Sequence, residues 1–350
     1  MENGIARHAG ERHIAGMKIL VNCPLPFALA HGGQAIQIQS TMAALQKIGV
    51  EAEPLCWWDE KQTGDIIHYF GRMPADQIQF AHQRNFKIVM AEFLTAAGSQ
   101  TAFQLQLRRS FRWAAEKFAP PGLSQVFSWQ SYRLADALIA LTPREKELMT
   151  YKFDAPPGKI FVVPNGVEEV FFQSPGVKRG SWLVCAATIT ERKRVLELAQ
   201  AAAAAQTPVW IIGKAYADND TYAQKFFQLA KENPQFIRYE GAINDRAKLA
   251  EIYRAARGFV LLSTMESLSL SALEASACEC PLLLSDLPWA HGSFSAGTEF
   301  CAVTDSTATT AAILRKFYNK APGLCTPVKP LTWIEVAAQL KVIYEQILRD

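Results

Sequence analysis

Two glutamates, Glu266 and Glu274, have seven residues between them and flank the serine-rich turn Ser267-Leu268-Ser269-Leu270-Ser271. Carboxylates so placed can hold hydroxyl groups, and a turn that opens a helix offers free N–H groups and a positive dipole end to an anion. Glu274 has a second reading, because Ser271-x-x-Glu274 also fits a capping box that serves only the helix itself. Glu266 follows a buried strand and has no such structural duty, so Glu266→Gln is expected to leave stability intact. A second charged cluster, Arg192-Lys193-Arg194, stands where a helix is expected to begin. Three cations there oppose the helix dipole, and a diphosphate would offset the conflict. Asp218-x-Asp220 has the look of a metal motif, yet both aspartates can equally cap the helix that begins near Thr221.

The elements that must position these groups can be read from apolar runs. Residues 259–262 and 281–284 read as short buried strands, with a helix over 272–277 between them, which makes one βαβ unit. In open parallel sheets ligands sit beyond the carboxyl ends of the strands, where the serine turn lies. Strands are also expected at 18–22, 50–55, 65–70, 87–91, 137–141 and 159–163, then at 182–186 and 209–212, with helices over 34–48, 192–205 and 331–350. Alternating β and α elements predict doubly wound parallel sheets. Gly32-Gly33 does not make a dinucleotide fingerprint. It is either a plain turn or a place where backbone approaches a bound sugar or diphosphate closely.

At 350 residues the chain exceeds the ~250–300 at which a single core stops growing, so two domains are expected. The boundaries predicted are an extension at 1–16, a first domain at 17–172, a linker at 173–180, a second domain at 181–330 and a terminal helix at 331–350. With 49% hydrophobic and 20% charged residues the composition is that of an ordinary globular protein. A net charge of +3 gives no footprint for nucleic acid. No apolar run reaches the ~18–20 residues needed to span a bilayer, and residues 1–16 lack the apolar core of a signal peptide. Seven scattered cysteines read as buried free thiols and point to the cytoplasm. Residues 105–118, basic and amphipathic, either present a solvated face or make a weak peripheral contact with the inner face of a membrane.

The Glu266-x7-Glu274 spacing, followed by Ala272-Leu273-Glu274-Ala275, resembles the retaining glycosyltransferases of family 4, which have the GT-B fold. Val163-Pro164-Asn165-Gly166-Val167 resembles the segment that ends the first domain in that family. The resemblance implies two Rossmann-like domains facing across a cleft, with the terminal helix crossing back to the first. It implies sugar transfer from a nucleotide-sugar donor to an acceptor hydroxyl, of hexosyltransferase type, without metal or cofactor. Catalytic roles then fall to Glu266, Lys193 and Arg192. The substrate-binding set is Gly32, Gly33, Gly213, Gly241, Ile243, Ser267, Leu268, Ser269, Leu270 and Glu274, with the nucleotide base near Gly241 to Ile243 and the ribose at Glu274. Two positions depart from the family pattern: Thr188 stands in place of an arginine, and Met90 to Thr95 carries no histidine, leaving Glu92 as a substitute. A nucleotide-sugar epimerase of the same fold, or a non-catalytic binding protein that kept it, remain alternatives.

Overall fold

The structure, a computed structural model, describes residues 16–24, 26–27, 32–95, 110, 129–173, 178–217, 219–303 and 306–350. The basic segment at 105–118 (Ser110 apart), Asp218, most of the extension and the middle of the linker lie outside the described residues.

The first domain runs β1 (Lys18–Asn22), α1 (Gly33–Lys47), β2 (Glu51–Pro54), β3 (Ile66–Tyr69), α2 (Ala75–Gln83), β4 (Lys87–Met90), α3 (Gln130–Leu134), β5 (Ala137–Ala140), α4 (Pro143–Phe153) and β6 (Ile160–Val162). Its strands form one parallel sheet in the order β2-β1-β3-β4-β5-β6. Successive strand residues point to opposite faces, and here both faces are covered. Ile19, Val21, Val89 and Ile139 pack on one side, while Leu20, Ile88, Met90 and Leu138 pack on the other. That is why these strands read as continuous apolar runs.

The second domain runs β7 (Leu183–Ala186), α5 (Val195–Ala204), β8 (Val209–Ile212), α6 (Thr221–Glu232), β9 (Ile237–Tyr239), α7 (Arg246–Ala255), β10 (Gly258–Leu261), α8 (Leu270–Ala277), β11 (Leu282–Ser285), α9 (Pro288–His291), β12 (Thr298–Cys301) and α10 (Thr307–Lys320). Its parallel sheet has the order β12-β11-β10-β7-β8-β9. The order reverses between β7 and β10, so the loops after those two strands diverge and leave a crevice between them. The first sheet reverses likewise between β1 and β3.

The terminal helix, α11 (Trp333–Arg349), starts on a capping box in which Thr332 and Glu335 bond reciprocally. Its stripe of Val336, Leu340, Ile343 and Ile347 is buried with Ile19, Ile38 and Leu45 of the first domain. The His68 ring pairs with the Tyr344 hydroxyl at 2.6 Å, and burial drives the imidazole down to about 3, so it stays neutral. The chain returns across Gly166, where a Cβ would lie 2.7 Å from the Trp333 Cα. Only glycine admits that approach.

Several sequence expectations need correction. A helix over 192–205 does not form as one piece. Glu191–Lys193 is a 3₁₀ turn, Arg194 takes a left-handed φ of 51°, and α5 begins at Val195. The cause lies in the neighbouring loop: the Thr264 N–H donates to the Arg192 carbonyl at 2.8 Å, so that carbonyl is committed across the crevice. All seven cysteines are free, but Cys56 and Cys325 are exposed rather than buried. No helix among the described residues is long and apolar enough to cross a membrane.

Candidate functional site

Between the two domains lies a cavity of about 570 Å³, within the ~300–1,000 Å³ usual for small-molecule sites. The first domain contributes the N-terminus of α1, with Gly32, Gly33 and Gln34, together with Phe93, Thr95, Leu141 and Asn165. The second contributes Thr188, Arg192 and Lys193 from the loop after β7, and residues 266–271 and Glu274 from the loop and helix after β10. The N-termini of α1 and α8 therefore reach one space, each with a positive dipole end.

The Arg192–Thr264 backbone bond draws the two loops of the crevice together, and their side chains meet. Lys193 Nζ forms an ion pair with Glu266 Oε1, and Arg192 Nη1 lies 3.4 Å from the same oxygen and 3.0 Å from the Met265 carbonyl. Glu266 and Lys193 are both nearly buried, with side chains 10% and 13% exposed. The expectation that Glu266 has no structural duty is thus overturned, because it is the counter-ion that two cations share. Thr188 lines the cavity beside Arg192.

Glu274 does not belong to a capping box. Ser269, not Ser271, is the N-cap of α8, accepting from the Ala272 N–H at 3.4 Å. The carboxylate of Glu274 instead pairs with Arg246, whose Nε also donates to Glu168 at 2.6 Å. Burial pushes the Glu274 carboxyl up to about 7, against the opposing pull of Arg246. Burial also works against the Arg246 charge, but Glu274 and Glu168 outweigh it and raise its pKa. The guanidinium rests over the Phe171 ring, 4.7 Å from its centroid. The reading of the sequence missed Arg246 and Glu168. A usable signal was present, since Arg246 is a cation in the first turn of α7, directly after its cap Asp245, where it opposes the dipole as Arg192 to Arg194 do.

The loop after β10 is also held from the first domain. Ser267 Oγ lies 2.9 Å from Thr95 Oγ1, and Asn165 Nδ2 donates to the Leu268 carbonyl at 3.3 Å. A Cβ placed on Gly33 would stand 3.5 Å from Leu270 Cδ1, an ordinary contact across the cavity. Gly213, Gly241 and Ile243 lie outside the cavity lining. Gly213 has a local reason to be glycine: its φ is 153°, and a Cβ would stand 1.9 Å from the Ala187 carbonyl oxygen. Glu92 does not line the cavity either. It accepts from the Tyr132 hydroxyl, and burial raises its carboxyl. Asp220 caps α6, accepting from Tyr222 N–H at 2.7 Å and Ala223 N–H at 3.3 Å.

Known proteins share this architecture. Residues 180–319 match the family described as glycosyl transferases group 1. A glycosyltransferase from Rickettsia africae ESF-5 aligns over 96% of this chain and 99% of its own at 12% identity, with a TM-score of 0.64. Sucrose-phosphate synthase from Thermosynechococcus elongatus aligns over 95% and 99% at 16% identity, with a TM-score of 0.67. HepE of Anabaena, solved with UDP-glucose, aligns over 95% and 98% at 14% identity, with a TM-score of 0.64. No curated protein sequence matches. Two six-stranded parallel sheets, a crevice at each reversal and a shared cavity are the GT-B fold, and within it residues 180–319 are similar to the glycosyl transferases group 1.

Proposed function

We propose that the chain is a retaining, metal-independent glycosyltransferase of hexosyltransferase type, moving a sugar from a nucleoside-diphosphate donor to an acceptor hydroxyl. One observation carries this reading: Lys193 and Arg192 converge on Glu266 at the β7/β10 crevice, in a cavity large enough for a nucleotide sugar. The difficulty in the reaction is the negative charge that grows on the departing diphosphate. Two cations and the N-terminus of α8 oppose that charge without a metal, as preorganised dipoles do in a site shielded from water. As the diphosphate engages Lys193 and Arg192, the Glu266 oxygens become available to sugar hydroxyls and orient the ring.

The acceptor oxygen bonds to the anomeric carbon while the bond from that carbon to the phosphate oxygen breaks. The acceptor proton passes to the leaving phosphate, so no carboxylate need act as covalent nucleophile. Attack and departure on one face retain the anomeric configuration. Glu274 and Arg246 form the part of the wall that suits ribose hydroxyls. The HepE neighbour was solved with UDP-glucose, which makes UDP-hexoses the first donors to test.

The test is a thermal-shift screen of UDP-, GDP- and ADP-hexoses. It is followed by turnover in EDTA across an acceptor panel, with the product anomer read by proton NMR. A donor at 100 times its Kd stabilises by about 2.7 kcal/mol, and the product is expected to keep the donor's configuration. Inverted product, or activity abolished by EDTA and restored by manganese, would overturn the corresponding part of the reading. Free monosaccharide released without acceptor would indicate epimerase chemistry, and binding without turnover would indicate a binding protein.

A further inference from the structure

The loop from β2 to β3 presents two tryptophans that the transferase reading does not use. Trp57 is 68% exposed and Trp58 91%, the most exposed large apolar side chains among the described residues. The loop that carries them is tied down. The Leu55 N–H donates to the Val21 carbonyl of β1 at 2.8 Å, and two turns follow, from Cys56 to Asp59 and from Asp59 to Gln62. The Gln62 side chain closes the base of the loop, accepting from the Cys56 N–H at 2.8 Å. Its amide also donates to Glu53 Oε1 at 2.7 Å and to the Pro54 carbonyl at 3.0 Å. Asp59 Oδ1 accepts from the Lys61 N–H at 3.0 Å. The two rings are therefore held out on a fixed support, and a ligand lying on them does not have to order the loop first. Adjacent aromatic rings exposed on an ordered loop mark a binding surface.

Position and charge select the occupant. β2 is the edge strand of the first sheet and runs parallel to β1. Its loop leaves at the carboxyl ends of the strands, the end at which α1 begins and lines the cavity with Gly32 and Gly33. Neither tryptophan belongs to the cavity lining, so the rings stand on the rim beyond it. Beside them Asp59, Glu60 and Lys61 are all exposed, two carboxylates against one cation. That balance disfavours an anionic lipid surface, which attracts basic segments. A neutral sugar fits both features: the C–H face of a pyranose lies flat on an indole, and its hydroxyls donate to carboxylates. We propose that Trp57 and Trp58, with Asp59 and Glu60, form a rim subsite for a neutral oligosaccharide, which holds an acceptor chain while its terminal sugar enters the cavity. The glycan's role as acceptor rests on the transferase reading. Its binding to the rim requires no turnover, so the two can fail separately.

Binding is read without donor, by saturation-transfer NMR and tryptophan fluorescence. The probes are α- and β-linked hexasaccharides of glucose, galactose, mannose and N-acetylglucosamine, with phosphatidylglycerol vesicles as the lipid arm. At least one hexasaccharide should bind, and Trp57→Ala/Trp58→Ala should weaken it by about tenfold or more, the scale of losing an aromatic anchor. The melting temperature should not change, because both side chains are exposed. Trp57→Phe/Trp58→Phe keeps two aromatic faces and should bind within about threefold of wild type. In turnover with the bound glycan as acceptor, the double-alanine variant should raise the acceptor KM by about tenfold, with donor KM within about threefold. Absence of binding to every hexasaccharide, or binding that the double-alanine variant keeps, overturns the proposal. Vesicle binding that this variant loses would overturn it in favour of a membrane contact, and a dimer that it splits in sedimentation would do so in favour of a second copy. Wild-type protein that transfers no sugar would sink the transferase reading, and the binding comparison would still decide whether the rim holds a glycan.

Discussion

The cavity has two charged corners with opposite balances. At Glu266, two cations share one carboxylate; at Arg246, one cation is shared by two carboxylates. The first corner has an excess of positive charge and suits a ligand that brings negative charge, such as a diphosphate. The second has an excess of negative charge and suits hydroxyl donors, such as a ribose. Apart from Glu168, which precedes the linker, both corners are built on strand ends or helix starts of the second domain, while the first domain lines the cavity with Gly32, Gly33, Thr95 and Asn165, none of them charged. The second domain therefore carries most of the electrostatics of the site, and the first supplies backbone, small side chains and the anchors for the Glu266 loop.

The largest effect should come from breaking the positive corner. Glu266→Gln and Lys193→Ala are each expected to lower kcat by about a hundredfold or more, the scale of losing one positioned charge contact in a transition state. Saturating-donor kinetics would read this. Glu266→Gln should also cost stability, on the order of 3 kcal/mol, because it leaves a nearly buried Lys193 without its counter-ion. Chemical denaturation would measure that cost. Unchanged turnover in Glu266→Gln would break the assignment of this corner to the reaction.

The negative corner should respond mainly in stability and donor binding. Arg246→Leu leaves Glu274 buried beside Glu168 with no cation between them. Loss of a buried partner costs several kcal/mol, but Arg246 is about a third exposed and the effect is screened, so a loss on the order of 2 kcal/mol is expected. Donor KM should rise, with kcat at saturation less affected than in the Lys193 variant. Adding Glu274→Gln to Arg246→Leu should recover part of the stability, since the uncompensated charge is then gone. No recovery in the double variant would show that the two side chains do not act as a pair.

Legibility in the sequence followed the range of the interaction. β1 and α1 were readable because apolar runs and a helical stripe are local signals, and the two-sided burial of the sheets made the strands stand out. Glu266 was readable from its place after β10. What it pairs with was less so, because Lys193 is 73 residues away and only the sheet order brings the loops together. Glu168 and Arg246, 78 residues apart, left no local trace beyond a cation in an unfavourable helix position. The serine turn misled for a different reason: Ser267, Ser269 and Ser271 each offer a hydroxyl for capping, and tertiary packing selects Ser269 while Ser267 turns towards Thr95.

The smallest effect, and the finest test of the contrast between the corners, is the pH dependence of stability. Glu274 and Glu145 are both pushed up to about 7 by burial, from an ordinary value of 4.5. The folded state therefore binds their protons more tightly than the unfolded chain does. Stability must fall wherever the folded state holds more protons, which for these groups is the window from about 4.5 to about 7. Their contribution favours the fold fully below that window, declines through it and is flat above it. Urea midpoints compared at about pH 5 and about pH 8 should show Glu274→Gln losing less stability on alkalinisation than wild type, because the amide has no proton to give up. Glu145→Gln should act in the same direction, and the double variant should be flatter than either. A Glu274→Gln protein with the wild-type slope would mean that Arg246 keeps the carboxylate ionised throughout, and the negative corner would then be a fixed ion pair rather than a titrating one.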